Sequence, residues 1–160
     1  MARNRIPSTP ALRTLRELGI PFEARPYAYV ERGGARAAAE ALGLDLHAVI
    51  KTLVFEGPDK RPFLVLMHGD REVSANRAAR ALGVKQVRPC DPAVAERHTG
   101  YRVGGTSPFG TRKPVPVLVH DSILELPRVA VNGGSRGLLV ELDPTCFVAE
   151  LGGIPADVAQ

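Results

Sequence analysis

Tryptophan is missing from this chain of 160 residues, aromatic residues make up 5% of it, and cysteine occurs twice, as Cys90 and Cys146. Two distant thiols without CxxC spacing provide neither a disulfide framework nor a zinc knuckle, so both are expected to be free. No segment approaches the roughly 18 consecutive apolar residues of a membrane-spanning helix. The start, MARNRIPSTP, has charge but no apolar stretch of signal-peptide type behind it. A soluble, cytoplasmic protein without membrane contact is therefore expected. Lysine is scarce too: of 21 basic residues only Lys51, Lys60, Lys85 and Lys113 are lysines. Repeats, linkers and low-complexity tracts are absent, which predicts one domain over residues 1–160.

Hydrophobic residues reach 44% and charged residues 24%, ordinary values for a globular chain. The formal charge of +4 favours an acidic partner, though only weakly, because the excess is spread along the chain. Thr9-Pro10 with Leu12, Leu15 and Leu18 on one face predicts a helix over 10–18, ended by Gly19. An extended segment, IPFEARPYAYV, leads to Gly33-Gly34 and an alanine-rich helix from Ala35 to Leu42. A short turn opened by Asp45 comes next. Residues 51–56 and RPFLVLMHGD predict a hairpin through GPDKR. Ser74 caps a helix to Leu82, VKQVRP reads as a short strand, and Asp91-Pro92 opens a helix to about His98. VPVLVH and the two halves of RVAVNGGSRGLLVEL are further strands, and Asp143-Pro144 opens the last helix. Elements alternate early while strands cluster late, which predicts an α+β fold with a mixed sheet.

Chemistry could reside at two places. In AVIKTLVFEG, residues 48–57, Lys51 interrupts an apolar strand, and an ammonium there is either turned out to water or held for a task. In VGGTSPFGTRKPVPV, residues 103–117, two glycines before Thr-Ser-Pro put several amides in a tight turn that can hold an anion or a developing oxyanion. A plain glycine-rich connection is the alternative. Gly105 and Gly110 fit GxxxxG, but Thr111-Arg112 replaces the Lys-Ser/Thr of a phosphate loop. The four histidines are at least 20 residues apart without HExxH or HxH spacing, so no metal is expected. No serine nucleophile with an evident histidine base is identified. Cys146 falls in the first turn of the last helix, where the dipole can activate a thiol, although Phe147 and Val148 beside it suit a buried one. Tyr27, Tyr29 and the NGGSRG turn at 132–137 complete the candidate set.

Five segments in order, TPALRTLRELGIPFEARPY, AEALGLDLHAVIKTLVF, SANRAARALGVKQV, TGYRVGGTSPFGTRKPVPV and VNGGSRGLLVEL, resemble the YbaK family, free-standing relatives of the editing domain of bacterial prolyl-tRNA synthetases. The GGxSPxG segment looks most like the Cys-tRNA(Pro) deacylase branch. The resemblance implies a single α+β domain with a mixed, strongly curved β-sheet flanked by helices. It also implies an enzyme that removes mischarged cysteine from tRNA(Pro) in trans, without a cofactor. In that picture Lys51 is the key functional residue, and Gly104, Gly105 and Thr106 form an amide cradle. Tyr27, Ser107, Pro108, Gly133, Gly134, Ser135 and Asp143 bind substrate. The substrate's own thiol attacks its ester, so the protein needs no nucleophile. Partners implied are the 3′ end of tRNA(Pro) and, by analogy, a prolyl-tRNA synthetase. Alternatives are a non-catalytic tRNA- or synthetase-binding module and a deacylase for Ala-, Ser- or Thr-charged tRNA. Two positions depart from the family: Cys146 or Asp143 stands near an expected acidic residue, and Tyr29 replaces a more polar one. Arg77, Arg80, Lys85, Arg88, Arg112 and Lys113 are candidates for a phosphate-contacting rim.

Overall fold

Thr9 starts the first helix as its sequence predicts. In the computed structural model, which describes residues 6–160, the Thr9 hydroxyl accepts a hydrogen bond from the Leu12 amide at 3.1 Å. Pro10 takes the first turn, where its missing N–H has no partner to lose. Helix α1 (Pro10–Glu17) lays Ala11, Leu12 and Leu15 into the core. The other helices are α2 (Gly34–Leu42), α3 (Ala75–Leu82), α4 (Pro92–Thr99) and the single turn α5 (Cys146–Ala149).

Among the described residues eight strands form one sheet: β1 (Glu23–Pro26), β2 (Val49–Glu56), β3 (Pro62–His68), β4 (Arg88–Pro89), β5 (Val117–His120), β6 (Val129–Asn132), β7 (Leu138–Leu142) and β8 (Ile154–Ala156). Their order is β1-β7-β6-β2-β3-β5-β8, with β4 also pairing β2. Hairpins β2–β3 and β6–β7 are antiparallel, whereas β2–β6, β3–β5 and β5–β8 are parallel. This is an α+β fold with a mixed sheet. Side chains alternate across β2, as a strand requires. Ile50 and Val54 join the core under α1, with Leu64, Leu66, Val131 and Val140, while Leu53 and Phe55 join Phe63, Val65 and Met67 under α3.

The departures from the expected elements occur where the chain is short or carries proline. VKQVRP contributes only two paired residues, Arg88 and Pro89. Asp91 precedes α4 without a side-chain cap bond. The last helix is one turn long. Strand β8 has no sequence signature, because Pro155 suppresses the strand pattern and is tolerated only at the sheet's edge.

One irregularity positions the site. β3 covers one edge of β2 from Ile50 to Glu56, but the other edge is shared. β6 pairs there only with Val49 and Ile50, and β4 only with Phe55 and Glu56. Residues 51–54 have no ladder partner on that edge, and only 51–53 are left open. The Val54 carbonyl turns toward it, since it accepts from the Cys90 amide at 2.9 Å. Peptide groups alternate sides along a strand, so the N–H and C=O of Thr52 face the same opening.

Candidate active site

A groove of about 820 Å³ opens over this interrupted edge. Lys51, Thr52 and Val54 line it, together with Tyr27 and Tyr29 from the segment after β1, Val103, Gly104 and Thr106 from the glycine loop, and Asn132 and Arg136 from the β6–β7 turn. Lys51, Tyr27, Tyr29, Gly104 and Thr106, all singled out by sequence, are thus brought to one cavity, with Asn132 and Arg136 from the NGGSRG turn.

Lys51 leaves β2 on the same side as Leu53 and Phe55, by strand alternation. Its side chain is 19% exposed, neither sealed in the core nor freely solvated. Nζ donates to the Arg71 carbonyl at 2.5 Å and lies 3.5 Å from Glu72 Oε1, both on the loop between β3 and α3. An ammonium has three donors, so one remains for a ligand in the groove. That loop is itself held by the end of the chain: Ser74 N–H donates to the Val158 carbonyl at 2.7 Å and Gln160 N–H to the Glu72 carbonyl at 2.9 Å.

The glycine loop is pinned by the β6–β7 turn. Asn132 Nδ2 donates to the Gly104 carbonyl at 3.0 Å, and Arg136 Nε donates to the Val103 carbonyl at 2.9 Å. Asn132 Oδ1 in turn accepts from the amides of Gly134 and Ser135, at 2.7 and 3.2 Å. Gly105 N–H is committed to the Arg102 carbonyl at 2.8 Å, so it is no free donor. Its role is close approach: a Cβ at 105 would sit 3.0 Å from Arg136 N and 3.1 Å from Ser135 C, both backbone atoms. Among the described residues the amides of Gly104 and Thr106 have no acceptor. Both residues line the groove, as does Val103, whose amide likewise has no acceptor.

The remaining candidates lie outside the groove lining. Ser107 is fully buried, and its Oγ accepts from the Phe109 amide at 3.1 Å, which makes it a turn former beside buried Pro108. Gly133 is buried and its carbonyl takes the Thr9 hydroxyl at 2.6 Å, which ties α1 to this turn. Gly134 and Ser135 act through their amides on Asn132, as above. Asp143 is exposed, and its carboxylate is held by the amide and hydroxyl of Thr145 at 2.9 and 2.8 Å. Those bonds keep it below the usual carboxylate range. Cys146 is buried, and burial pushes its thiol up to about 12, overriding any lowering by the one-turn helix α5. Neither residue reaches the groove. Of the suggested phosphate rim, Arg77 is paired with Asp157 and Arg88 with Glu56.

Thr52 has no motif signature, because it hides beside Lys51 in an apolar strand; Asn132 belongs to the NGGSRG turn, but only the structure gives its side chain the task of holding the glycine loop. Thr52 Oγ1 is buried without a hydrogen-bond partner, alone in this among the described residues. A buried polar atom of that kind costs free energy unless something else satisfies it.

No protein nucleophile with a base emerges. Gly133, Ser135 and Gly137 do have GxSxG spacing, but they sit in a hairpin corner rather than a strand-to-helix elbow. Ser135 Oγ donates only to the adjacent Arg136 carbonyl, at 3.4 Å. Cys90 lines the groove, yet burial first and the Glu56 carboxylate second push its thiol up to about 11. His47, His68 and Asp70 present ligand atoms within 4.8 Å of one another. The two imidazoles are stacked, with centroids 3.7 Å apart and planes at 9°. Their in-plane lone pairs cannot converge on one ion. His68 Nδ1 donates to the His47 carbonyl at 2.6 Å and Nε2 accepts from Ser122 Oγ at 2.7 Å, so the ring is used up as a neutral core linker.

Burial lowers the pKa of His68 and of His120, and the positive neighbours His47, His120 and Arg71 contribute in the same direction. Below the ordinary histidine pKa the unfolded chain then binds more protons than the folded one. Stability is complete above that pKa and declines as pH falls through it. The melting temperature should drop between about pH 7.5 and pH 5.5, and His120→Gln should flatten the slope. A melting temperature that is level or rises on acidification contradicts this.

Residues 32–148 match the family model described as the aminoacyl-tRNA editing domain. The provisionally named Cys-tRNA(Pro)/Cys-tRNA(Cys) deacylase EbsC of Enterococcus faecalis is 29% identical over 151 residues, 94% of this chain and 92% of that protein. The proline–tRNA ligase of Limosilactobacillus fermentum is 29% identical over 104 residues, 62% of this chain but 18% of the ligase. A solved structure, provisionally described as a trans-editing enzyme for prolyl tRNA synthetase, superimposes with a TM-score of 0.82 at 27% identity, over 97% of this chain and 99% of that one. Lys51, Gly104, Thr106 and Asn132 fall inside the matched span, while Tyr27 and Tyr29 precede it.

Proposed function

Since the chain belongs to the aminoacyl-tRNA editing domain family, we propose that it is a free-standing deacylase whose main substrate is cysteine misattached to tRNA(Pro). The observation that carries this reading is the convergence of Lys51 with the acceptor-less amides of Gly104 and Thr106 in a groove without a nucleophile–base pair among the described residues. The relatives named for Cys-tRNA(Pro) deacylation and for prolyl-tRNA editing support the substrate class.

The chemistry then needs only placement. The substrate's sulfur bonds to its own ester carbonyl carbon, and the C–O bond to the terminal ribose breaks. The ribose oxygen takes the thiol proton. A four-membered thiolactone leaves and opens in water. The Gly104 and Thr106 amides face the developing oxyanion, each such donor contributing roughly 3 to 4 kcal/mol in favourable sites. Lys51 adds positive potential, and the open edge at Thr52 receives the polar groups of the aminoacyl moiety. Holding thiol and carbonyl in line can supply roughly 7 to 11 kcal/mol by effective concentration.

A panel of tRNA(Pro) charged with cysteine, alanine, serine or proline tests the proposal. Purified protein should release free tRNA fastest from the cysteinyl ester, and hydroxyl-bearing serine should lag by at least about tenfold, because an alcohol is a far poorer internal nucleophile at neutral pH. Tight binding of charged tRNA with no release would overturn catalysis. Equal rates for cysteine and alanine would overturn assistance by the thiol while keeping deacylation.

A further inference from the structure

Resting on the editing reading, we propose that Tyr29 and Arg136 form the subsite for the substrate's terminal nucleobase, the adenine on the ribose that carries the amino acid. The Arg136 guanidinium lies over the Tyr29 ring, 5.2 Å from its centroid. Arg136 Nε is fixed on the Val103 carbonyl at 2.9 Å, so the planar group does not swing freely. Its two terminal nitrogens have no acceptor among the described residues. Both side chains line the groove beside Gly104. The Tyr29 phenol reaches across that glycine, since a Cβ at 104 would lie 2.6 Å from Tyr29 Oη.

This arrangement has the parts that a base requires. A nucleobase offers a flat π-face and ring nitrogens that accept hydrogen bonds. A tethered guanidinium offers a flat cationic face and spare N–H donors, and tyrosine offers a second aromatic surface. Unpaired nucleotide ends are commonly held by stacking on aromatic rings or arginine planes. Val103, 51% exposed on the groove rim, gives an apolar edge for the base to cover. The free amides of Gly104 and Thr106 are next to this pair, so one nucleoside can place its ester on the amides and its base on the guanidinium. Arg136 would then act twice: its Nε positions the glycine loop, and its plane receives the base. A purely structural arginine would do only the first.

The two roles separate with probes that cannot turn over. One is 3′-deoxy-3′-(cysteinylamino)adenosine; the other is the same compound with hydrogen in place of the base. By titration calorimetry the wild-type protein should bind the adenine probe roughly tenfold tighter, within the range for one stacked base. Arg136→Ala and Tyr29→Leu should each reduce the preference to about twofold or less, and Tyr29→Phe should keep it. Tyr29→Leu leaves the Arg136–Val103 bond in place, so it remains informative if Arg136→Ala melts early. Equal binding of the two probes, no binding of the adenine probe, or an undiminished preference in both variants overturns the proposal. Failure of the editing reading looks different: no release from any charged tRNA(Pro), with the adenine preference intact.

Discussion

Lys51→Met should lower kcat/KM for Cys-tRNA(Pro) cleavage by about two to three orders of magnitude, the loss typical of removing one preorganised charge donor from a reacting oxyanion. Methionine keeps an unbranched stem on β2, so the packing beside Leu53 is disturbed little and the melting temperature should move by only a few degrees. What disappears is an ammonium held 2.5 Å from the Arg71 carbonyl and 3.5 Å from Glu72. Without it those two acceptors turn to water, which the exposed Glu72 can reach. Lys51→Arg keeps the charge but needs a wider berth and a planar set of acceptors, so it should recover only part of the activity. Single-turnover assays, with protein in excess over charged tRNA and its concentration varied from below to above saturation, separate binding from chemistry. A Lys51→Met protein with undiminished single-turnover rate would remove the central claim for this residue.

Much of the fold is readable from local chemistry. Thr9-Pro10, Ser74 and Asp45 cap their elements as residue type predicts, and Gly43 and Gly83 end α2 and α3 in left-handed conformation. The β2–β3 hairpin follows from its apolar runs around GPDKR. What cannot be read is how non-neighbouring strands share an edge. The opening beside Thr52 exists because β6 stops pairing at Ile50 and β4 begins at Phe55, and those strands lie some thirty to eighty residues away in sequence. Lys51 was legible as an oddity of composition, an ammonium in an aliphatic strand. Its resting partners were not, since Arg71 presents a backbone carbonyl, which carries no residue signature.

The glycine loop divides in the same way. GGTSP announces a turn with bare amides, but residue type does not say which amide stays free. Geometry assigns the Gly105 N–H to Arg102 and leaves those of Gly104 and Thr106. It also explains the isolated GxSxG match: Ser135 is a hairpin residue that helps Asn132 hold the loop. Asp143 and Cys146, attractive for their place before the last helix, serve the cap and the core of that segment. A turn of four residues offers too little aligned backbone to activate a thiol against its burial.

Gly104→Ala should cost roughly 100-fold in kcat with a much smaller change in KM, and the reason lies in direction rather than bulk. Gly104 has φ +89°. Alanine there is strained by about 1 to 3 kcal/mol, so the peptide tends to rotate. The added Cβ meets the Tyr29 side chain, 2.6 Å from Oη and 3.3 Å from two ring carbons, and that side chain can step aside. Rotation is the more damaging response, because the Gly104 N–H shares its peptide plane with the Val103 carbonyl that Arg136 Nε holds, and it must turn with that plane. An amide that misses the developing oxyanion loses transition-state stabilisation while ground-state contacts persist. Gly105→Ala should behave differently. Its Cβ would press on the backbone of Ser135 and Arg136 at 3.0 to 3.1 Å, which cannot yield without parting the two loops. Thermal stability should suffer first there, by several degrees, with kcat and KM impaired together. If Gly104→Ala raised KM alone and left kcat intact, the amides would be binding the substrate's resting ester, and the oxyanion role would have to pass to Lys51.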